Sequence, residues 1–453
     1  MKTRWMIVVG FVVAILVGAL LLALPVSSPS HTWMKPMDAL FMACSAVCIT
    51  GLAVIDIGTQ LSRFGQGVML ALVQMGTLGI MTLGTFFLVL VGRRLSLASE
   101  FSLMDAYGTK GIKGLRGLIV WVVLSMCVIE GVGTVILHHL FEADAVARHL
   151  VVDPSTLWFR AYFFSVMSFC NAGFSIDPGS ISAFGSKPLV LLTMGVLVIL
   201  GGIGFLVIYN VCTIQFWRRN LVKRGRLSLH SRVVLLSTLV FLVGMYAFYL
   251  LMEWNAALDP FSWTEKLAVG FFQSLTPRTC GFTVVPTHEA HPAVRFVSEV
   301  LMFIGAAPGG AGGGIKLTTF VVFLVTLMAI GGGRREAVLF KRTIPEAVVR
   351  EAIVIVMVFA AMITLGMTVL LVSEAGNEQL PFEYLLFETV SAVTTTGLSC
   401  GNTTATLSTV GRLVIMLCMF VGRLGALAIV MLIGRQDEVA PPVRYPKEEL
   451  VVG

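Results

Sequence analysis

Charge is scarce in this chain. Asp, Glu, Lys and Arg together make up 13% of its 453 residues, about half the share usual in soluble domains. That shortage excludes an ordinary soluble enzyme. It also excludes a disordered chain, which needs many charges and few apolar residues. There is no HExxH and no catalytic dyad, so the reading is of a protein that is not an enzyme. The eight Cys form no CxxC pair and no zinc spacing. Cys44, Cys48, Cys127, Cys170, Cys212 and Cys418 sit in apolar stretches and are expected as buried small hydrophobes. Period-2 alternation is missing, which excludes a transmembrane β-barrel. No GxGxxG precedes a soluble βαβ pattern, so nucleotide sensing, if any, lies on another polypeptide.

What is abundant is apolar sequence: 57% of residues, with a mean hydropathy of +0.91. Long apolar runs at 5–24, 67–91, 115–137, 188–212, 232–252, 293–330, 348–372 and 409–434 predict eight membrane spans, the sixth interrupted. The first run is about as long as a span and lacks a clear cleavage site, so it is expected to be a helix rather than a signal peptide. Even eight spans leave apolar residues over. Four shorter segments take up part of that excess: Met37–Thr50, Trp158–Asn171, Glu265–Thr279 and Phe382–Thr396. Each is too short to cross a bilayer and too apolar for a surface loop, so each is expected to be a re-entrant half-helix.

The four short segments end alike, in SAVCITGLAV, MSFCNAGFSI, SLTPRTCGFTV and SAVTTTGLSC. Their glycines, Gly51, Gly173, Gly281 and Gly397, are 122, 108 and 116 residues apart. A repeat of that length is a whole module. The predicted fold is therefore an all-α polytopic membrane protein. It has four repeats of span, half-helix, filter loop and span, arranged in one chain around a pseudo-fourfold pore. The repeats are expected at 1–92, 93–225, 226–340 and 341–434, with a short tail at 435–453.

The net charge of +7 could suggest nucleic acid, but its placement argues against that. With both termini inside, the segments 1–4, 92–116, 213–232, 331–350 and 435–453 hold 21 of the 32 Lys and Arg residues. Positive residues in short loops stay cytoplasmic. The half-helices then enter from outside, in a bacterial inner membrane, with anionic lipid headgroups as neighbours.

A half-helix that stops inside a membrane aims about half a negative charge at the interior from its C-terminus. Four such ends on one axis favour a cation. The irregular backbone beyond them is tolerated at that depth only along a water path or inside protein. Rings of carbonyls can replace the hydration shell of K⁺. The expected filter comprises Ile49, Thr50, Gly51, Asn171, Ala172, Gly173, Thr279, Cys280, Gly281, Thr395, Thr396 and Gly397. Backbone coordination also explains why side chains next to the glycines vary. Arg278, beside the third loop, is read as a scaffold cation paired with an external carboxylate; a charged gate is the alternative.

The sixth run is broken by GAAPGGAGGGIKLTT. Six Gly and one Pro within 305–314 cannot remain helical, at about 1 kcal/mol per Gly and 3 for Pro. An intramembrane loop over 305–315 is expected below the filter, acting as a gate and not as a phosphate loop. Its residues are Gly305, Pro308, Gly309, Gly310, Gly312, Gly313 and Gly314, with Lys316 directly after. Arg423, a cation in the last span, needs carbonyls or a carboxylate. Glu130 is a deep carboxylate, readable as a hydrogen-bonded packing site or as a proton relay.

Together these loops resemble the Ktr/Trk/HKT superfamily of K⁺ transporters, over nearly the whole chain. The resemblance implies a K⁺-conducting uptake subunit with a mobile gate loop that Arg423 helps hold closed. It further implies a homodimer, with the tail at the dimer interface, sitting on a cytosolic KtrA-like ring that binds nucleotide. Relatives with Ser for the first glycine favour Na⁺; here that residue is Gly51. Cys48, in CITG, departs from the commoner TVTG. The alternative is a secondary cation transporter coupled to Na⁺ or H⁺, a class that more often shows inverted repeats.

Overall fold

Residues 2–79, 115–149, 153–213, 227–334 and 336–425 are described by a computed structural model. In chain order its helices are α1 (Lys2–Ala23), α2 (Pro36–Val47), α3 (Ile57–Gln60), α4 (Arg63–Leu78), α5 (Leu115–Ala147), α6 (Pro154–Phe169), α7 (Pro188–Ile203) and α8 (Phe205–Thr213). The second half contains α9 (Leu229–Glu253), α10 (Trp263–Leu275), α11 (Pro292–Ile304), α12 (Leu317–Gly331), α13 (Glu346–Ser373), α14 (Phe382–Val393), α15 (Thr403–Thr406) and α16 (Thr409–Leu424). A two-stranded hairpin, β1 (Val338–Leu339) and β2 (Arg342–Thr343), joins α12 to α13.

Three helices are long and apolar enough to cross a bilayer among the described residues: Ile119–Ala147, Leu229–Glu253 and Glu346–Ser373. The pair α7 and α8 forms a fourth candidate, bent by 96°. Val8–Ala23 and Leu317–Gly331 are apolar but shorter. Where the sequence predicts unbroken spans over 67–91, 188–212 and 409–434, the helices stop at Gly79, Gly204 and Gly425 instead. All three adopt φ between 72° and 88° and ψ between 135° and 147°, a conformation no helix can contain. Gly305 ends α11 in the same way, with φ 55°. Segments 80–91 and 426–434, the module boundaries at 92, 225 and 434, and the tail 435–453 lie outside the described residues. The boundary at 340 falls in the turn of the hairpin.

The short helices α2, α6, α10 and α14 match the four expected half-helices. Pro36 and Pro154 occupy the first turns of α2 and α6, where proline's missing N–H costs nothing. A capping box of Ser262 and Glu265 starts α10. Hydrogen bonding to the side chain and then to the backbone of Ser262 holds the Glu265 carboxyl below its ordinary pKa. Each half-helix packs against the long helix before it: α1 on α2, α5 on α6, α9 on α10, α13 on α14. The helix after each one also touches the next half-helix, so that α4 meets α6, α7 meets α10, α11 meets α14, and α16 returns to α2. The chain thus closes on itself.

Arginines in the first turns of the following helices stitch three of these contacts. Arg63 of α4 donates to Ser155 and Thr156 of α6. Arg295 of α11 pairs with Glu383 of α14 at 3.4 Å. Arg412 of α16 pairs with Asp38 of α2 at 2.7 Å, and its other amino group binds the Ala405 carbonyl at 2.7 Å. Buried acids anchor the same level. Glu374 accepts from the Ser408 N–H and hydroxyl, and Glu253 accepts from the His291 N–H at 2.7 Å.

Cys44, Cys48, Cys170 and Cys418 are buried as expected, but Cys127 and Cys212 are exposed. They lie in apolar stretches of α5 and α8. For a helix in a bilayer, apolar context predicts contact with lipid as readily as burial in protein.

The Arg412–Asp38 pair links residues 374 positions apart and is mostly shielded from water, with 20% and 17% of the side chains exposed. Arg412→Gln and Asp38→Asn should each lower the melting temperature of the detergent-solubilised protein, by an amount equivalent to about 1–3 kcal/mol. Because one pair is broken either way, the double variant should fall little further. Additive losses would mean the two residues act separately.

Candidate functional site

The four half-helices end at Val47, Phe169, Leu275 and Val393, and the chain then turns in a shared way. Two residues before each glycine a non-glycine residue takes positive φ: Ile49 at 56°, Asn171 at 54°, Thr279 at 75° and Thr395 at 49°. The glycines follow with φ of 95°, 67°, 78° and 85°. Left-handed conformations are costly for residues with a Cβ, so their recurrence at one register marks a constraint imposed by the surroundings.

The intervening residue is fixed by its N–H. Thr50, Ala172 and Thr396 each donate back five residues, to Ser45, Met167 and Ser391, at 2.8–2.9 Å. The hydroxyls of Ser45 and Ser391 also accept from the N–H of Gly51 and Gly397, at 3.2 and 3.1 Å. With the N–H groups turned toward the half-helices, the carbonyls face the opposite way.

Those carbonyls meet the glycines of neighbouring loops. A methyl group placed on Gly51 would strike the Ala172 oxygen; on Gly173, the Cys280 oxygen at 2.9 Å; on Gly281, the Thr396 oxygen at 2.8 Å; on Gly397, the Thr50 oxygen. The sequence of contacts is 51 to 172, 173 to 280, 281 to 396, 397 to 50, a closed ring of four. Glycine is required for the positive φ and also for this approach. The twelve expected filter residues thus come together in one place.

On one side of the ring a cavity of about 550 Å³ is lined by all four glycines and by residues that follow them, including Asp56, Asp177, Ser399 and Asn402. On the other side lies the 305–316 loop. Methyl groups on Gly312 and Gly313 would meet the hydroxyl oxygens of Thr279 and Thr395. Those two hydroxyls and that of Thr50 are buried with no hydrogen-bond partner among the described residues. The Thr279 and Thr395 hydroxyls thus lie between the ring and the loop.

The loop is held by backbone bonds to the broken end of α7. Ala307 donates to Gly202 and Ala311 to Gly201, while Phe205, the first residue of α8, donates to Gly309, each at 3.1 Å. A methyl on Gly204 would meet the Pro308 oxygen at 2.6 Å. Lys316 caps the loop through the Gly312 carbonyl at 2.7 Å. Arg423 donates to the Ala311 carbonyl at 2.7 Å and to the Gly76 carbonyl at 2.9 Å. Its partners are therefore carbonyls, one on the loop and one on α4.

Glu130 and Arg278 lie behind the ring. The Glu130 carboxylate accepts from Gln74 at 3.0 Å and from the Cys170 thiol at 3.6 Å, and its backbone carbonyl accepts from Ser165 at 2.7 Å. It braces α4, α5 and α6 together. Arg278 makes a long contact to the Thr238 hydroxyl at 3.5 Å, and no carboxylate pairs with it among the described residues. Arg278 thus reaches α9 rather than the expected external carboxylate.

A second set of glycines goes unnoticed in the sequence. Three residues before the breaks, Gly76, Gly201 and Gly422 lie under the last carbonyls of the half-helices, Val47, Phe169 and Val393, where a Cβ would collide. The signal for them is the GxxG spacing of 76/79, 201/204 and 422/425.

A family model described as TrkH, cation transport protein, matches residues 1–438. The chain is 33% identical to the Ktr system potassium uptake protein B of Bacillus subtilis, over 98% of this chain and 95% of that protein. It is 32% identical to the potassium/sodium uptake protein NtpJ of Enterococcus hirae, over 99% and 96%. The crystal structure of the potassium transporter TrkH from Vibrio parahaemolyticus superimposes with a TM-score of 0.67 at 17% identity, over 94% of this chain and 84% of that one. With a matching fold, a multi-pass pattern of apolar helices and a family model spanning nearly its full length, the chain belongs to the TrkH family of cation transport proteins.

Proposed function

We propose that this protein is the ion-conducting membrane subunit of a bacterial potassium uptake system. In this reading the four modules surround one pore, and K⁺ crosses the ring of Thr50, Ala172, Cys280 and Thr396 carbonyls. The observation that carries it is the closed contact of each of these carbonyls with the glycine of a neighbouring loop. Four half-helix C-termini add a favourable field for a cation. The ring needs no side-chain ligand, which suits a dehydrated monovalent ion better than a divalent one.

The 305–316 loop is the gate. It occupies the position just past the ring, and its fastenings are hydrogen bonds donated to α7 carbonyls and accepted from α8, Lys316 and Arg423, each of which can be exchanged for another. A gate must be held by interactions of this modest strength, since a tightly packed apolar plug could not be moved by a partner's binding energy. The cytosolic KtrA-like nucleotide-binding ring, the homodimer, the inner-membrane location and the cytoplasmic termini belong to the same proposal. The ring and the homodimer rest on the family resemblance read in the sequence, the location and the termini on the placement of Lys and Arg. The coupled-transporter alternative draws on Glu130 and on the potassium/sodium name of NtpJ. Glu130 is engaged by Gln74 and Cys170 behind the second half-helix, which favours a bracing role over a relay.

Expression of the chain, with its regulatory partner, should restore growth of a K⁺-uptake-deficient bacterium on low K⁺. Gly51→Ser and Gly281→Ser should lower K⁺/Na⁺ discrimination by about tenfold, a change of ~1.4 kcal/mol in relative ion stability. Unchanged discrimination with normal expression would sink the filter assignment. Shortening the loop by removing 308–314 should raise basal flux; a fall in flux at intact expression would refute the gate. Arg423→Gln should speed amide exchange across 305–315, as read by mass spectrometry. No change there would mean that α7, α8 and Lys316 hold the loop without Arg423.

A further inference from the structure

Glu388 lies in the middle of α14 and is 0% exposed. No cation pairs with it among the described residues. Arg295, close by, is taken by Glu383 at 3.4 Å. The carboxylate is instead held by two hydroxyls, Ser399 at 2.7 Å and Thr404. Burying a carboxylate without a counter-charge is expensive even when it is hydrogen-bonded. The other three loops avoid that cost. Nine residues before their glycines stand Met42, Phe164 and Phe272, each fully buried. An apolar residue therefore suffices for packing at this position, and the carboxylate needs another explanation.

Both hydroxyls are on the segment that leaves the ring. Ser399 is two residues past Gly397 and lines the 550 Å³ cavity; Thr404 is in α15. On the other side of the glycine, Ser391 holds the Thr396 N–H at 2.8 Å and the Gly397 N–H at 3.1 Å. Residues 396–399 are thus pinned at both ends to α14, by Ser391 and Glu388. Elsewhere the ties use other groups: the Thr276 hydroxyl, at the end of α10, donates to the Phe282 carbonyl, one residue past Gly281, at 2.9 Å. Arg160 of α6 reaches Asp177, four residues past Gly173. Gln273 of α10 holds Val284 and Val285, three and four past Gly281.

We propose that Glu388 is a positioning residue that sets ion discrimination by fixing Ser399, and through it the Thr396 and Gly397 carbonyls. This rests on the filter reading above. A ring that selects by spacing and field must resist closing around a smaller ion. The fourth loop, held before its glycine by Ser391 and after it by the buried Glu388 carboxylate, supplies that resistance. A carboxylate suits the task because it accepts two strong hydrogen bonds at once, whereas an amide at the same place must offer a donor to one hydroxyl.

The test uses the full chain reconstituted in proteoliposomes, with K⁺ and Na⁺ fluxes and the melting temperature measured side by side. Glu388→Gln and Ser399→Ala should each lower the K⁺/Na⁺ flux ratio by about tenfold, the lower end of what one lost hydrogen bond to a charged group gives. The double variant should match Glu388→Gln alone, because both act through one bond. A wild-type ratio in both single variants, while Gly397→Ser changes it, overturns the inference and leaves the filter standing. A wild-type ratio in Gly397→Ser as well removes the filter, and this inference with it. Should Glu388→Gln fail to fold, Ser399→Ala decides alone: it deletes one hydroxyl and leaves the carboxylate bound to Thr404, and an unchanged ratio there is a refutation.

Discussion

Much of this molecule is arranged around peptide carbonyls that press against the glycines of neighbouring loops and, among the described residues, accept from no hydrogen-bond donor. In a bilayer such groups are costly, because no water is available to satisfy them. They persist here because the N–H side of the same peptides is tied to the half-helices: Thr50 to Ser45, Ala172 to Met167, Thr396 to Ser391. The four loops also brace one another, carbonyl against glycine. No single loop could hold this shape alone. The long helices, the arginine stitches at Arg63, Arg295 and Arg412, and the buried acids Glu253 and Glu374 serve to bring four short helices to one point from widely separated stretches of chain.

Much of this is legible in the order of residues alone. The four glycines stand out because the segments leading to them are too apolar for loops and too short for spans, a contradiction that only a re-entrant helix resolves. The glycine-rich break at 305–314 is equally plain, since its composition forbids a helix. The breaks at Gly79, Gly204 and Gly425 escape such a reading, because each is a single dihedral inside an apolar run, and hydropathy carries no information about one backbone angle. Arg412 and Asp38 cannot be paired from sequence: each stands near the start of its own apolar segment with nothing to mark the other as its partner, and only the closure of the fold brings them within 2.7 Å. Cys127 and Cys212 show the converse error, in which an apolar neighbourhood passes for protein interior.

The third module differs from the others in several linked ways. Its half-helix α10 ends six residues before its glycine, with Pro277 lacking an N–H just beyond, whereas α2, α6 and α14 end four before theirs. Gly76, Gly201 and Gly422 have no glycine counterpart three residues before Gly305. There stands Met302, fully buried beside Phe387 and Val390. Gly305 comes 24 residues after Gly281, while the other breaks follow their glycines by 28 or 31. The chain saved by the early break becomes the 305–316 loop, which has the length to cross beneath the ring and reach Gly201, Gly202 and Arg423. The third module thus departs from the other three in where its half-helix ends, in the residue three before its break and in how soon that break comes, and the loop that follows supplies the slack from which the proposed gate is made.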